Sequence, residues 1–474
     1  MALGMFESYM SSYCFSEAGK AIWSDRATLQ AWLDVEAALA QAQAELGMVP
    51  PEAAQQIAVH AQAERFDLEA LARGIAFAQH PLMPVLDAFE RMCGDAVAHY
   101  LHWGATTQNV LDTATALQMT RTHRQLDAAL GQAILALGAL AAAHRDTPSA
   151  GRTHGQHALP TTLGCKVAVW VDELDRHRHR LAARVGPSFP TLLGGAIGTY
   201  GAMGARGPEV ERRVAARLGL EPNPMPSRAS YDRPADYVLA LGLLAATTEK
   251  IAGSVVTWMR TEIGELAEAF HLGKIGSSTM AQKRNPNTAM STVALARLLR
   301  ARVPLVLEAV IRTDEGDGAA SFVTDVSMPE VGLLALSMAE FLARLCAGLQ
   351  AAPTALRRNL ALTDGLIASE TAMMALGKRL GRHKAHHILY EAAQQTQSDG
   401  VPFLASLQAH PGLQGLELPR DALAGWLDPA ANLDAPAALV DATLRRVLGA
   451  QTPAAVQPAG AATDAPARQV TGAR

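Results

Sequence analysis

Apolar residues recur along most of this chain at spacings of three and four, the period of an α-helix. Ser24 supplies an N-cap, and Leu29, Trp32, Leu33 and Leu39 form an apolar stripe behind it. Gly47 and Pro50 close the pattern, so a helix is predicted between them. A second helix is predicted from about Thr161 to Arg184. Its first half is apolar (Val167, Val169, Trp170), and its end, DELDRHRHRL, is charged. A third runs from about Tyr237 to Phe270, roughly 50 Å at about 1.5 Å per residue. A fourth follows at about 288–310. Alternating stretches rich in Val, Ile and Thr are scarce, so the fold class is all-α. Long central helices expose apolar stripes that one chain scarcely covers, which predicts an elongated bundle with an oligomeric helical core.

Gly/Pro punctuation falls at 186–207 and 219–234. Module changes near 108 and 360 divide the chain into an N-terminal helical domain (1–108), a central long-helix bundle (109–360) and a C-terminal helical domain (361–450). The last segment, 451–474, is rich in Ala, Pro, Thr and Gln without a periodic apolar pattern, and is expected to be a disordered tail.

Composition narrows the function classes. The 474 residues are 49% apolar and 18% charged, which excludes disorder for the bulk of the chain. Lys+Arg 41 against Asp+Glu 45 gives a net charge of -4, with no global basic surface for nucleic acid or a membrane. Cys14, Cys93, Cys165 and Cys346 form no CxxC pair, so neither a zinc knuckle nor a disulfide framework is expected. The start, MALGMFESYM, lacks a basic segment followed by an apolar one, and a cytoplasmic location is expected. The Ala/Leu runs near 129–143 and 238–247 are flanked by charges. They fall short of roughly 18 uncharged apolar residues and read as buried bundle helices.

Three segments carry candidate chemistry. In 276–286, GSSTMAQKRNP, Gly276 frees the backbone and two hydroxyls follow. Lys283 and Asn285 offer a cation and an amide before Pro286 opens the next helix, a composition suited to an anion-binding loop. In 102–113, HWGATTQNVLDT, Thr106, Thr107 and Gln108 are donors for a carboxylate; taken alone they make a turn and a helix cap. In 151–164, GRTHGQHALPTTLG, His154 and His157 precede a helix opened by Pro160. They have no third ligand nearby, so no metal is expected. No GxGxxG or P-loop occurs, so no nucleotide or flavin cofactor is expected. His383, His386 and His387 read as a solvated helix face. DEGDG lacks EF-hand spacing and reads as a solvated turn.

These three blocks together resemble the fumarase/aspartase superfamily. The first is similar to its signature GSSxMPxKxNP, with Ala281 in place of the usual Pro. The second is similar to GATSQDxxDT, with Asn109 in place of Asp, and the third to GRTHxQxAxPTTxG. The resemblance covers about residues 15–450. It implies a three-domain fold whose long helices form a homotetramer, with each active site shared between three chains. It implies Ser277 as the base, Lys283 and Asn285 as stabilisers of developing charge, and Ser278 and Met280 as further substrate contacts. Thr106, Thr107 and Gln108 would bind a carboxylate, and Thr153 would contact the substrate. His154 would be catalytic or orienting, and Gln156 would line the pocket.

The implied reaction is anti β-elimination, or the reverse addition, through an aci-carboxylate on a small di- or tricarboxylate, without a cofactor. HWGATTQN and LGRHKAHHILYEAA are most similar to the 3-carboxy-cis,cis-muconate cycloisomerase branch, then to adenylosuccinate lyases. Met290 stands where adenylosuccinate lyases carry Glu, and the early His block reads QHPLMP instead of a His-Asp pair. In SYDRPAD, Ser230 and Tyr231 replace the Gln and Arg of QRDRxAE. Lactonisation of carboxymuconate and C–N cleavage releasing fumarate both remain open. A non-catalytic protein like the superfamily's lens crystallins is the reading from another class. Retention of Ser277, Lys283, Asn285 and His154 favours the enzyme.

Overall fold

The computed structural model describes residues 6–270 and 277–449. Gly276 and the tail expected at 451–474 lie outside the described residues. The protein is 69% helical with little sheet. Ser24 caps the helix Asp25–Glu45, its side chain accepting from Ala27 N at 3.3 Å, and Leu29, Leu33 and Leu39 are buried behind it. The second expected helix is Leu163–Ser188.

Two expected helices differ from their sequence pattern. The third is Asp232–Trp258 and stops well before Phe270. The chain turns back there: Glu265 N donates to Trp258 O at 2.9 Å, and Leu266–Ala267 pairs antiparallel with Gln350–Ala351. The fourth is two helices, Asn287–Arg300 and Val303–Glu308. Pro304 has no N–H for the Arg300 carbonyl, so the first helix cannot run on.

The longest helices are Thr107–Ala143 and Gly318–Ala347, and the short runs near 129–143 and 238–247 are parts of longer helices. The acidic DEGDG turn serves the second of them as a cap, since Asp317 Oδ1 accepts from Ala320 N at 3.0 Å. By length and composition, Thr107–Ala143, Asp232–Trp258 and Gly318–Ala347 could each cross a membrane. In Gly318–Ala347, however, 78% of the apolar window is buried inside the protein.

The main departure from pure helix is a hairpin of Pro148–Thr153 and Gln156–Thr162. The helix expected at Pro160 therefore starts only at Leu163, and Pro160 lies in a strand. The cause is the turn. His154 (φ 53°) and Gly155 (φ 79°) are both left-handed, the two-residue geometry whose twist matches a hairpin.

The chain forms two compact units. One is built from the described parts of 1–134 and 173–351, the other from those of 135–172 and 352–474. The boundaries expected near 108 and 360 fall at the first turn of Thr107–Ala143 and the last residue of Pro353–Leu360. In the first unit, Gly318–Ala347 packs against Asp232–Trp258 and Asn287–Arg300. In the second, Ala372, Leu376, Ile388, Phe403 and Leu423 belong to a separate core.

Packing on Gly318–Ala347 is close. A Cβ at Gly332 would lie 2.6 Å from Trp23 Nε1, whose N–H donates to Thr122 Oγ1 at 3.1 Å. Gly332→Ala is expected to lower the unfolding free energy by about 1–3 kcal/mol through overpacking. Urea titration of both proteins measures this, and unchanged stability would contradict the packing described.

Candidate active site

The first block sits where Thr107–Ala143 begins. Asn109 Oδ1 accepts from Thr106 N at 3.0 Å and from Gly195 N at 3.1 Å, while Asn109 Nδ2 donates to Gly195 O at 3.3 Å. An Asp here could only accept. The Asn therefore ties the helix start to the glycine-rich loop in both directions. Thr107 Oγ1 lies 3.3 Å from His80 Nε2, and His80 Nδ1 accepts from Met83 N at 3.0 Å. That backbone bond puts the neutral imidazole's proton on Nε2, facing Thr107. Thr106 and Thr107 thus set two hydroxyls at a helix N-terminus, where free N–H groups and the helix dipole favour an anion. Gln108 is buried and turned inward, its Nε2 donating to Asp112 Oδ1 at 2.7 Å.

The second block precedes Asn287–Arg300. Ser277 Oγ accepts from Met280 N at 3.1 Å and Thr279 N at 3.4 Å. Backbone donors aimed at a hydroxyl oxygen favour its ionised form. Ser278, Met280 and Lys283 are exposed, and Asn285 is half-buried. The base of this loop is clamped by residues outside the sequence motif. Buried Glu268 accepts from Thr288 N and Ala289 N, both at 3.1 Å, and from Thr288 Oγ1 at 3.2 Å. Pro286, at the N-cap, offers no side-chain cap, and Glu268 satisfies those N–H groups instead. Arg284 stacks on the Phe270 ring, 4.6 Å from its centroid.

The third block is the hairpin tip. Thr153 pairs with Gln156 across the turn, and Thr153, His154 and Gln156 are all exposed. His157 lies on the second strand in register with Arg152. The first two blocks belong to one compact unit and the hairpin to the other.

Comparison with known proteins bears on this arrangement. Residues 16–299 match the family described as Lyase, and residues 365–443 match Adenylosuccinate lyase C-terminus. The chain is 37% identical to the N-acetyl-S-(2-succino)cysteine lyase of Dickeya dadantii (strain 3937), over 90% of its own length and 93% of the relative's. It is 36% identical to the adenylosuccinate lyase of Methanocaldococcus jannaschii, over 80% and 82%. The crystal structure of 3-carboxy-cis,cis-muconate lactonizing enzyme from Pseudomonas putida matches with a TM-score of 0.85 and 32% identity, covering 92% of this chain and 98% of that one. The chain is a lyase of the fumarase/aspartase superfamily. It is therefore an enzyme, and the crystallin-like alternative is set aside.

At its first block the lyase gathers charged residues, Asp112 of the block itself and others from distant segments. Burial raises the Asp112 carboxyl pKa, against the pull of Gln108 and of Arg312 and Arg228. Asp325 is pushed up to about 6, first by burial and then by the charge of Asp112. Arg312 stacks 4.5 Å from the Tyr231 ring centroid. Tyr231 stands where the pattern QRDRxAE carries Arg.

His102, four residues before Thr106, is held in the left-handed region at φ 56°. Its Nδ1 lies 2.6 Å from Oε1 of buried Glu36. Burial works to lower the His102 pKa, but the Glu36 hydrogen bond and charge outweigh it and hold it above its ordinary value. A raised folded-state pKa stabilises fully below the unfolded value of about 6.5 and is lost as pH rises through the folded value. The stability gap between the native protein and Glu36→Gln is therefore expected to be widest near pH 5.5 and to shrink towards pH 9. Denaturant titrations across that range check it; a gap independent of pH would contradict the ion pair.

Proposed function

We propose that this lyase cleaves a carbon–sulfur bond in an S-(2-succino) thiol, releasing fumarate and the thiol. The observation that carries this reading is the 37% identity, over nine-tenths of the chain, with a relative named for that substrate class. The site's inventory suits it: hydroxyls at a helix N-terminus, a serine facing two backbone N–H groups, and Lys283 and Asn285 beside it.

Ser277 removes a proton from the methylene carbon next to one carboxylate. The electron pair moves onto that carboxylate, giving an aci-carboxylate with two negative charges. It then returns to form the double bond as sulfur leaves the neighbouring carbon. Lys283 and Asn285 face the developing charge, where each preorganised donor is worth about 3–4 kcal/mol. Thr106 and Thr107 hold the other carboxylate, with Thr153 and Gln156 around the substrate. His154 orients the substrate or protonates the departing sulfur. A serine is a weak base by itself, so the Thr279 and Met280 N–H groups and Lys283 must stabilise its alkoxide.

These groups converge in a homotetramer whose sites draw on three chains. Exposed apolar residues on the long helices, among them Leu239, Leu243 and Phe322, support such an assembly.

Lactonisation of 3-carboxymuconate is the second reading, favoured by the TM-score of 0.85 to the lactonizing enzyme. Met290 and the altered Ser230–Tyr231 pair argue against a purine substrate.

The deciding experiment follows fumarate by ultraviolet absorbance with N-acetyl-S-(2-succino)cysteine, adenylosuccinate and 3-carboxymuconate in parallel. Fumarate is expected from the first alone, and Ser277→Ala should lower that turnover at least about a hundredfold. Lactone from carboxymuconate, with no fumarate from the thioether, would select the second reading.

A further inference from the structure

One turn beyond Gln108, the helix Thr107–Ala143 borders a cavity of about 150 Å³. Its walls include Arg228, Arg233, Arg312, Asp112, Tyr231 and Phe189. Three guanidinium groups meet one carboxyl there, and that carboxyl is already bonded to Gln108.

The arginines are held in place by neutral groups. Arg312 donates from Nε to Ala309 O at 2.9 Å and from Nη1 to Arg228 O at 3.1 Å, while its buried Nη2 bonds to nothing. Arg228 reaches Ala196 O from Nη1 at 3.4 Å, and its buried Nε bonds to nothing. Arg233 Nη1 lies 3.5 Å from Asn223 Oδ1. Among the described residues, no carboxylate lies in ion-pair distance of these three. Arg145, Arg178 and Arg302, by contrast, are each matched to an acid. Buried N–H groups of a cation with no acceptor are costly, and an oxyanion in the cavity relieves that cost.

We infer that this cavity binds a carboxylate carried by the departing part of the substrate, a third carboxylate besides the two of the succinyl group. The inference rests on the proposed reaction for the identity of that departing part. The planar fork of a guanidinium matches a carboxylate's two oxygens. Phe189 and Met225, on the same walls, suit the short apolar stem between such a carboxylate and sulfur. The cavity therefore selects among succinyl thioethers by what their thiol carries.

The test uses the intact enzyme and has a binding arm independent of turnover. Succinate, propane-1,2,3-tricarboxylate and inorganic phosphate are titrated calorimetrically. The tricarboxylate is expected to bind at least about tenfold tighter than succinate, the value of one charge-assisted hydrogen bond. That ratio should fall towards one in Arg312→Gln and in Arg228→Gln, and recover in part in Arg312→Lys and Arg228→Lys. If a Gln variant does not fold, its Lys partner and the native ligand ratio still decide. Equal binding of the two carboxylates by the native enzyme would overturn the inference. So would a ratio that survives in both Gln variants, or phosphate binding tighter than the tricarboxylate.

The kinetic arm compares kcat/KM for N-acetyl-S-(2-succino)cysteine and for its analogue made from N-acetylcysteamine, which lacks the thiol's carboxylate. A native preference for the first that collapses in the Gln variants supports the inference, and no preference overturns it. If neither thioether is cleaved while the binding ratios behave as expected, the reaction reading fails and the carboxylate cavity stands.

Discussion

From about Met328 onward the Gly318–Ala347 helix is apolar around most of its circumference, so that part must be enclosed by other helices. From Met328 to Cys346 nearly every side chain is buried. A helix of that kind is stable only at the centre of a bundle. Asp232–Trp258 and Asn287–Arg300 are held in place by packing on it and on each other. Their ends are then fixed, and the polar segments at those ends become places where chemistry can be positioned. The signature segment enters Asn287–Arg300 through the Glu268 clamp. Asp325, on the central helix, meets Gln108 and Asp112 at the start of Thr107–Ala143. The candidate groups of the first two blocks are therefore attached to the ends of closely packed helices, while Ser278, Met280 and Lys283 lie at the surface.

Charge sets the second constraint. The proposed elimination concentrates two negative charges on one carboxylate, so the enzyme must supply positive potential without filling it in advance with its own acids. The donors around the candidate site follow that rule. Ser277 faces backbone N–H groups, and Thr106 and Thr107 stand at a helix N-terminus. Where carboxyls are near, burial raises their proton affinity, as at Asp112 and Asp325.

What could be read from the sequence followed the range of each signal. The Ser24 cap acts over three residues and was visible as such. The three motif strings were visible because their chemistry restricts residue types at adjacent positions, and they led to the family. The end of Asp232–Trp258 was hidden, since Ile263, Leu266 and Phe270 continue an apolar rhythm while the chain turns to pair with Gln350–Ala351. The hairpin was hidden behind Pro160 and a following helix; the His154–Gly155 dipeptide was its one local signal. Glu268, Asp325, Arg228 and Arg312 belong to no local pattern. Their partners lie far along the chain, and only the folded arrangement reveals them.

The central claim is that the site is built to stabilise an aci-carboxylate next to a second, fixed carboxylate. 3-Nitropropionate tests it directly. Its nitro group replaces one carboxylate of succinate, and on ionisation becomes a planar nitronate with the charge distribution of the intermediate. Tight binding of the ionised form is what a site complementary to the transition state requires. The account predicts inhibition that strengthens as pH rises through nitronate formation, and weakens sharply in Lys283→Met. Inhibition no stronger than that by succinate, and insensitive to nitronate formation, would contradict it.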